Sequence, residues 1–159
     1  MTLAEEAQLL FKGISNAIST WSGVEIHLSL VFSELLTGKP TDIAAVRAFY
    51  AIENFRAKLQ AVDAVASYRL HGILLDKWKT IFTHLDTRSK KRNQIIHHEI
   101  KDNPSAKPGK RYELIRPMLS GKNDPPMHVR QLQEAVESFA DLQEELKNFI
   151  NLLESSLQP

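Results

Sequence analysis

The residues best suited to chemistry lie in one short segment, RSKKRNQIIHHE at positions 88–99. Asn93 and His97 are four positions apart, so on a helix they stack on one side, with Arg92 around the adjacent corner. A guanidinium binds anions, and an imidazole has a pKa near neutrality and can move a proton. The spacing therefore indicates proton transfer beside a bound anion, with a basic, solvated helix end as the plainer alternative.

This segment continues a helical pattern in which apolar residues should recur. At about 100° per residue, one core-facing sector contains Leu74, Leu75, Trp78, Phe82 and Leu85, and Ile96 and Ile100 extend it. Between Leu85 and Ile96, the same sector contains the polar residues Ser89, Arg92 and Asn93, and His97 lies at its edge. Because an isolated guanidinium is costly to bury, either this end of the helix faces water or Arg92 and Asn93 line a polar cleft.

Apolar periodicity predicts four long helices, over about 2–36, 41–70, 73–100 and 128–157. A break near Gly23 would make five. Two of the connections are short and one is long. The pattern is typical of an all-α, up-and-down bundle of four to five helices that forms a single domain over residues 1–159.

The long connection covers residues 101–127 and is rich in proline, glycine and basic residues. It exceeds the roughly 2–8 residues usual in bundles, and residues 111–116 within it predict a short strand or turn. From position 88 to 130 there are 11 Lys and Arg against 4 Asp and Glu, a net charge of +7. We expect this basic loop to cover the motif and attract polyanions, with simple mobility as the alternative.

Composition removes several classes of function. The chain has 159 residues and no cysteine, which excludes disulfides and thiolate metal sites. Nucleotide-binding glycine loops, the nucleophile elbow and His-Glu-x-x-His are absent, and the consecutive His97, His98 and Glu99 cannot all bind one metal ion. No apolar run reaches the ~18 residues of a membrane span, and the start of the chain is acidic. We expect a cytoplasmic protein without a metal or other cofactor.

The run RNQIIH at positions 92–97 resembles the Arg-x(4–6)-His signature of the HEPN superfamily. It matches the form in which a polar residue follows the arginine and the histidine comes four positions after that residue. Its place near the end of the third long helix of an all-α bundle of this size strengthens the resemblance. The likeness is close over the motif and loose over the helical framework.

The resemblance implies a metal-independent endoribonuclease whose site is completed by a homodimer. His97 would act in general acid/base catalysis, and Arg92 would hold the phosphate. Asn93 would orient either His97 or the phosphate. The neighbours expected to guide the RNA are Arg88, Ser89, Lys90, Lys91 and His98. The biological setting would be phage defence, toxin–antitoxin systems or RNA processing, with an antitoxin or sensor protein as a further partner. Some toxins of this superfamily carry a modifiable tyrosine where this chain has Glu99, so neutralisation by nucleotidyl transfer is not expected.

Two alternatives stay open at the level of sequence. One is a catalytically inactive bundle of the same type that binds nucleic acid or a partner protein. The other is a structural dimer in which Arg92 pairs with an acidic residue such as Glu144. Catalysis needs Arg92 and His97 to converge with their symmetry mates in a cleft, whereas binding needs only the basic surface.

Overall fold

The computed structural model describes residues 2–117, 120–121 and 124–157, and most of them are helical. Their elements are α1 Leu3–Thr37, α2 Ile43–Tyr50, α3 Phe55–Arg69, α4 Gly72–His97, β1 Glu99–Asp102, β2 Tyr112–Ile115 and α5 Val129–Leu157. Five helices and one small sheet among the described residues confirm the predicted all-α bundle. No described helix is long and apolar enough to cross a membrane.

The single helix predicted over 41–70 is wrong, because the chain forms two helices there. α2 ends at Tyr50 and α3 begins at Phe55. Asn54 lies between them in an extended conformation, and its side chain accepts a hydrogen bond from the backbone N–H of Ala57 at 2.8 Å. A short polar side chain in this position satisfies one of the free amides at a helix start. The apolar pattern runs through the break and therefore hides it.

The predicted register at the end of α4 is also wrong. The helix stops at His97, and Ile100 belongs to β1. Ile96 and Ile100 are 38% and 40% exposed, whereas Ile95 is 3% exposed and joins the core. The buried row follows steps of three and four residues, and its apolar members are Trp78, Ile81, Leu85 and Ile95. Arg88 and Arg92 occupy the steps between Leu85 and Ile95, so two guanidinium groups interrupt this row.

The segment predicted as a long loop contains a β-hairpin, and the strand expected within 111–116 is confirmed. β1 and β2 pair antiparallel, with Glu99 opposite Ile115 and Asp102 opposite Tyr112. Leu114 and Met127 also exchange two backbone hydrogen bonds of 2.9 Å, so the returning chain adds to the hairpin. Within the same segment, Met118, Leu119, Lys122 and Asn123 lie outside the described residues. The connection is therefore an ordered supersecondary unit over its described length.

A buried carboxylate of α1 fixes the hairpin turn. Glu6 accepts hydrogen bonds from three backbone N–H groups, those of Gly109 at 3.0 Å, Arg111 at 2.6 Å and Tyr112 at 3.2 Å. Hydrogen bonds to a carboxylate are stronger than neutral ones, and here they satisfy three backbone amides in the turn and at the start of β2. Arg111 also pairs with Asp102 through two hydrogen bonds of 2.6 and 2.9 Å. The hairpin is thus held by both its ladder and its turn.

The packing divides the chain into two compact units. The described parts of Met1–Trp21 and Lys90–Phe139 form the first, and those of Ser22–Ser89 and Ala140–Pro159 form the second. In the first unit, Trp21 meets Phe139 edge to face with ring centroids 5.0 Å apart. In the second, Trp78 packs on Phe149 at 6.0 Å and donates its indole N–H to Asp63 at 2.8 Å. Each unit therefore has an aromatic core of its own.

Candidate functional site

The predicted catalytic residues lie on the last two turns of α4, in the first unit. Arg92 is half-buried, and its Nη1 donates a hydrogen bond to Asn93 Oδ1 at 3.0 Å. Asn93 and His97 are both exposed and stand one turn apart. With Oδ1 engaged by the guanidinium, the Asn93 side chain has its NH2 group left to donate. The helix therefore presents an imidazole and an amide together, with the arginine linked to them through Asn93.

A cavity of about 600 Å³ opens beside these residues. The end of α4 and the residue after it contribute Lys90, Asn93, Gln94, His97 and His98 to the lining. The segment after β2 contributes Arg116, Pro117 and Ser120. This volume lies within the roughly 300–1,000 Å³ typical of small-molecule sites. Among the described lining residues there are two cations and two histidines but no carboxylate. The segment after β2 and the motif thus share one cavity whose lining suits an anion.

His98 has an environment unlike that of its neighbour His97. Its side chain is 3% exposed, and neither ring nitrogen has a hydrogen-bond partner among the described residues. Burial lowers the pKa of His98; Asp124 opposes this effect, while Arg116, Lys91 and His97 add to it. The ring is therefore neutral at pH 7. A buried polar group without a hydrogen bond costs about 1–3 kcal/mol, so this position departs from ordinary core packing.

Arg116 and Asp124 form the ion pair nearest to His98. Arg116 Nε donates to Asp124 Oδ2 at 2.6 Å, and Nη2 contacts the same oxygen. That oxygen lies 3.9 Å from His98 Nε2, which is beyond hydrogen-bonding distance. Asp124 therefore holds Arg116 beside the cavity and has an imidazole close to it. Sequence reasoning missed Arg116 as an individual site residue, although the basic charge of the 101–127 segment included it.

The residues predicted to guide RNA do not all meet at this cavity. Lys90 and His98 line it, whereas Lys91 is half-buried and is not one of the lining residues. Arg88 and Ser89 belong to the second unit. There, Arg88 Nη1 lies 3.7 Å from Glu145 Oε2, and Ser89 Oγ donates to the backbone carbonyl of Asp86 at 2.8 Å.

The second unit holds another polar cluster that the sequence did not reveal. Glu145 of α5 contacts His84 Nδ1 through both carboxylate oxygens, at 3.0 and 2.9 Å, in addition to Arg88. A cavity of about 380 Å³ adjoins Glu145, and Ile81, Phe149 and Leu152 give its lining an apolar part. The carboxylate here already has two basic partners. This arrangement is typical of a structural ion pair on a helix bundle.

No family model, curated protein or solved structure matches this chain. The resemblance to the HEPN superfamily therefore rests on the motif at 92–97 and its position at the end of α4. What the site does has to be argued from its own residues, which are a histidine, an amide and an arginine beside a basic cavity.

Proposed function

We propose that this protein is a metal-independent endoribonuclease of the HEPN type. The observation that carries the proposal is the position of Asn93 and His97, which line one cavity together with Lys90 and Arg116. A phosphodiester is an anion, and its cleavage needs a group that moves protons near neutral pH. The cavity offers both properties without a lining carboxylate among the described residues to repel the substrate. RNA is the polyanion that can be cleaved by its own hydroxyl group.

In the proposed reaction, the ribose 2′-hydroxyl attacks the adjacent phosphorus. The 2′-oxygen–phosphorus bond forms and the phosphorus–5′-oxygen bond breaks, which leaves a 2′,3′-cyclic phosphate and a free 5′-hydroxyl. One imidazole takes the proton from the 2′-hydroxyl and another gives a proton to the departing 5′-oxygen. Arg92 stabilises the charge that develops on the phosphate, and its hydrogen bond to Asn93 keeps it oriented. No metal ion is required at any step.

The need for two imidazoles makes a homodimer part of the proposal. His97 of each subunit would supply one of the two proton-transfer groups. Ile96 and Ile100 lie on either side of His97 in the sequence, and both are more than a third exposed. Apolar side chains next to a motif are suitable for burial against a partner. Phage defence, toxin–antitoxin control and RNA processing are the settings that fit such an enzyme, with an antitoxin or sensor protein as its regulator.

The test is cleavage of an end-labelled structured RNA by the purified protein in EDTA. We expect wild type to cut and to leave cyclic phosphate ends, while His97→Ala and Arg92→Ala lose at least about 100-fold in rate. His84→Ala is the matched control, because His84 lies on the same helix but contacts Glu145. A 2′-deoxy substitution at the cleaved position should block the reaction, since the attacking hydroxyl is then missing.

A catalytically inactive RNA-binding bundle is the second candidate. The observation in its favour is that Arg92 is not among the residues that line the cavity and that its guanidinium engages Asn93. If wild type does not cut, or if His97→Ala and Arg92→Ala cut equally well, catalysis is refuted. Retention of RNA under the same conditions, weakened by salt as for phosphate contacts, would then favour the inactive bundle.

A further inference from the structure

We propose that the cavity beside the motif is a subsite for one nucleotide of single-stranded RNA, with the phosphate at Lys90 and Arg116 and the base edge at Gln94. The inference rests on the proposed function and adds to it the part of the substrate that this chain recognises beside the cleaved bond. It also assigns roles to Gln94 and Arg116, which are outside the catalytic motif. Both residues line the cavity described above.

The phosphate end of the subsite follows from the position of the cations. Lys90 belongs to α4 and Arg116 to the segment after β2, and both line the cavity, so two positive charges border one space. The described contacts of Arg116 with Asp124 use Nε and Nη2. Nη1 is therefore the guanidinium nitrogen left to donate to a phosphate oxygen.

The base end follows from the lining residues that lie next to the two cations, Gln94 one helical turn after Lys90 and Pro117 directly after Arg116. Gln94 carries an amide that both donates and accepts, as a base edge does, and Ser120 adds a hydroxyl group. Pro117 contributes an apolar surface against which a planar ring can lie. A cavity of about 600 Å³ has room for a base and its sugar as well as the phosphate. Inorganic phosphate alone would leave Gln94 and Ser120 without a ligand group to contact.

His98 and Asp124 explain how Arg116 can turn toward a ligand. If Arg116 moves toward the phosphate, the Asp124 carboxylate loses part of its ion pair, which would ordinarily be costly. His98 Nε2 is 3.9 Å from Asp124 Oδ2, and it has no hydrogen-bond partner among the described residues. A shift of about 1 Å would bring these two atoms within hydrogen-bonding distance. His98 is therefore a positioning residue that acts through Asp124 and Arg116.

The experiment measures nucleotide affinity by calorimetry, without any cleavage step. The probes are the four nucleoside 5′-monophosphates, the matching nucleosides, inorganic phosphate and a trinucleotide whose 2′-O-methyl groups prevent cutting. We expect the trinucleotide and at least one monophosphate to bind more tightly than inorganic phosphate. Arg116→Gln should weaken that binding by at least about tenfold, and Gln94→Ala should reduce the difference between bases. Melting curves of both variants check that they are folded.

Arg111→Gln is the matched control. Arg111 directly precedes β2, as Arg116 directly follows it, and it also pairs with an aspartate, Asp102, at 2.6 Å, but it is not one of the residues that line the cavity. Its substitution should change nucleotide affinity by less than about twofold. Equal weakening in Arg111→Gln and Arg116→Gln, no binding by wild type, or equal affinity for phosphate and nucleotide would each overturn the subsite.

The two proposals fail separately. RNA cleavage that depends on His97, together with nucleotide binding that is unaffected by Arg116→Gln and Gln94→Ala, would refute the subsite and leave the ribonuclease standing. Nucleotide binding that depends on Arg116, together with an absence of cleavage, would refute the ribonuclease and leave the subsite standing.

Discussion

The two halves of α4 carry similar basic side chains but give them different partners. In the first half, His84 and Arg88 both contact one carboxylate, Glu145 of α5, at 2.9 and 3.7 Å. In the second half, Lys90 and His97 line a cavity to which no described carboxylate contributes. Each half has buried apolar residues in the same row, with Arg88 and Arg92 at the interrupted steps between Leu85 and Ile95. The difference lies in what the surrounding chain supplies, not in the helix itself.

This comparison separates structural cations from cations suited to bind a ligand. Arg88 and Arg116 both lie beside a carboxylate, but only Arg116 lines the cavity beside the motif, where its Nη1 is left to donate to an anion. Lys90 and Arg116 line the cavity beside the motif, so their positive charges attract a phosphate there. Position on the helix alone does not distinguish the two cases, because Arg88 and Lys90 are only two positions apart on α4. Four predictions test whether the two halves differ in function as they do in structure.

The largest expected difference concerns the two arginines of that row. Arg92→Lys should lower the rate of RNA cleavage by about 100-fold or more, because an ammonium lacks the planar, two-point contact with phosphate. Arg88→Lys should leave the rate within about twofold, since Arg88 lies beside Glu145 and does not line the cavity. The measurement is single-turnover cleavage in EDTA. Equal losses of cleavage rate in both variants would show that Arg88 and Arg92 are equally important for cleavage. The proposed functional difference between the two halves of α4 would then be wrong.

The next largest effect concerns stability, and it tests which side of the second half of α4 faces the core. Ile95→Ala should lower the free energy of unfolding by about 2–5 kcal/mol, as expected for deletion of a buried isoleucine side chain. Ile96→Ala should cost less than about 1 kcal/mol, because its side chain is already partly in water. Urea denaturation of the two variants measures both values. The opposite order would place Ile96 in the core and return the motif to the register predicted from sequence.

A smaller effect is expected from the carboxylate of the first half. Glu145→Gln should lower the free energy of unfolding by about 0.5–1 kcal/mol, because it weakens the partly exposed contact with His84 and the ion pair with Arg88. The rate of RNA cleavage should stay within about twofold of wild type. A large loss of cleavage in a variant that melts normally would mean that this cluster takes part in function.

The smallest effect is a pH dependence in the second half. Burial lowers the pKa of His98, so below the usual value of about 6.5 the unfolded chain binds more protons than the folded one. The stability contributed by the neutral ring is thus present above pH 6.5 and is lost as the pH falls toward the lowered pKa. Asp124, Arg116, Lys91 and His97 are the charged or titratable groups around this ring.

The check is urea denaturation at pH 7.5, 6.5 and 5.5 for wild type and His98→Gln. Glutamine does not titrate, so the variant should lose less stability than wild type over this range. Parallel curves for wild type and His98→Gln would mean that His98 is protonated equally in the folded and unfolded chains.

Local pattern was sufficient to predict the helical class and the position of the motif. Apolar spacing repeats within each helix, so the spans of α1 and α5 and the position of Arg92, Asn93 and His97 near the end of α4 follow from neighbouring residues. It was insufficient at the break before Asn54, where the apolar pattern continues although the helix stops. It also placed Ile96 on the core-facing side of α4, where the structure has Ile95. An error of one residue in the register turns a side chain by about 100° around the helix axis.

The sequence by itself determined that this chain is a helical bundle with an arginine, an asparagine and a histidine at the end of a long helix. These properties depend on contacts between residues a few positions apart. Only the tertiary structure decided that Glu6 binds the turn before β2, 103 to 106 positions away, and that Arg116 and His98 meet at Asp124. The reason is physical. Hydrogen bonds and ion pairs between distant segments depend on how the chain folds back on itself, and helical periodicity carries no information about that path.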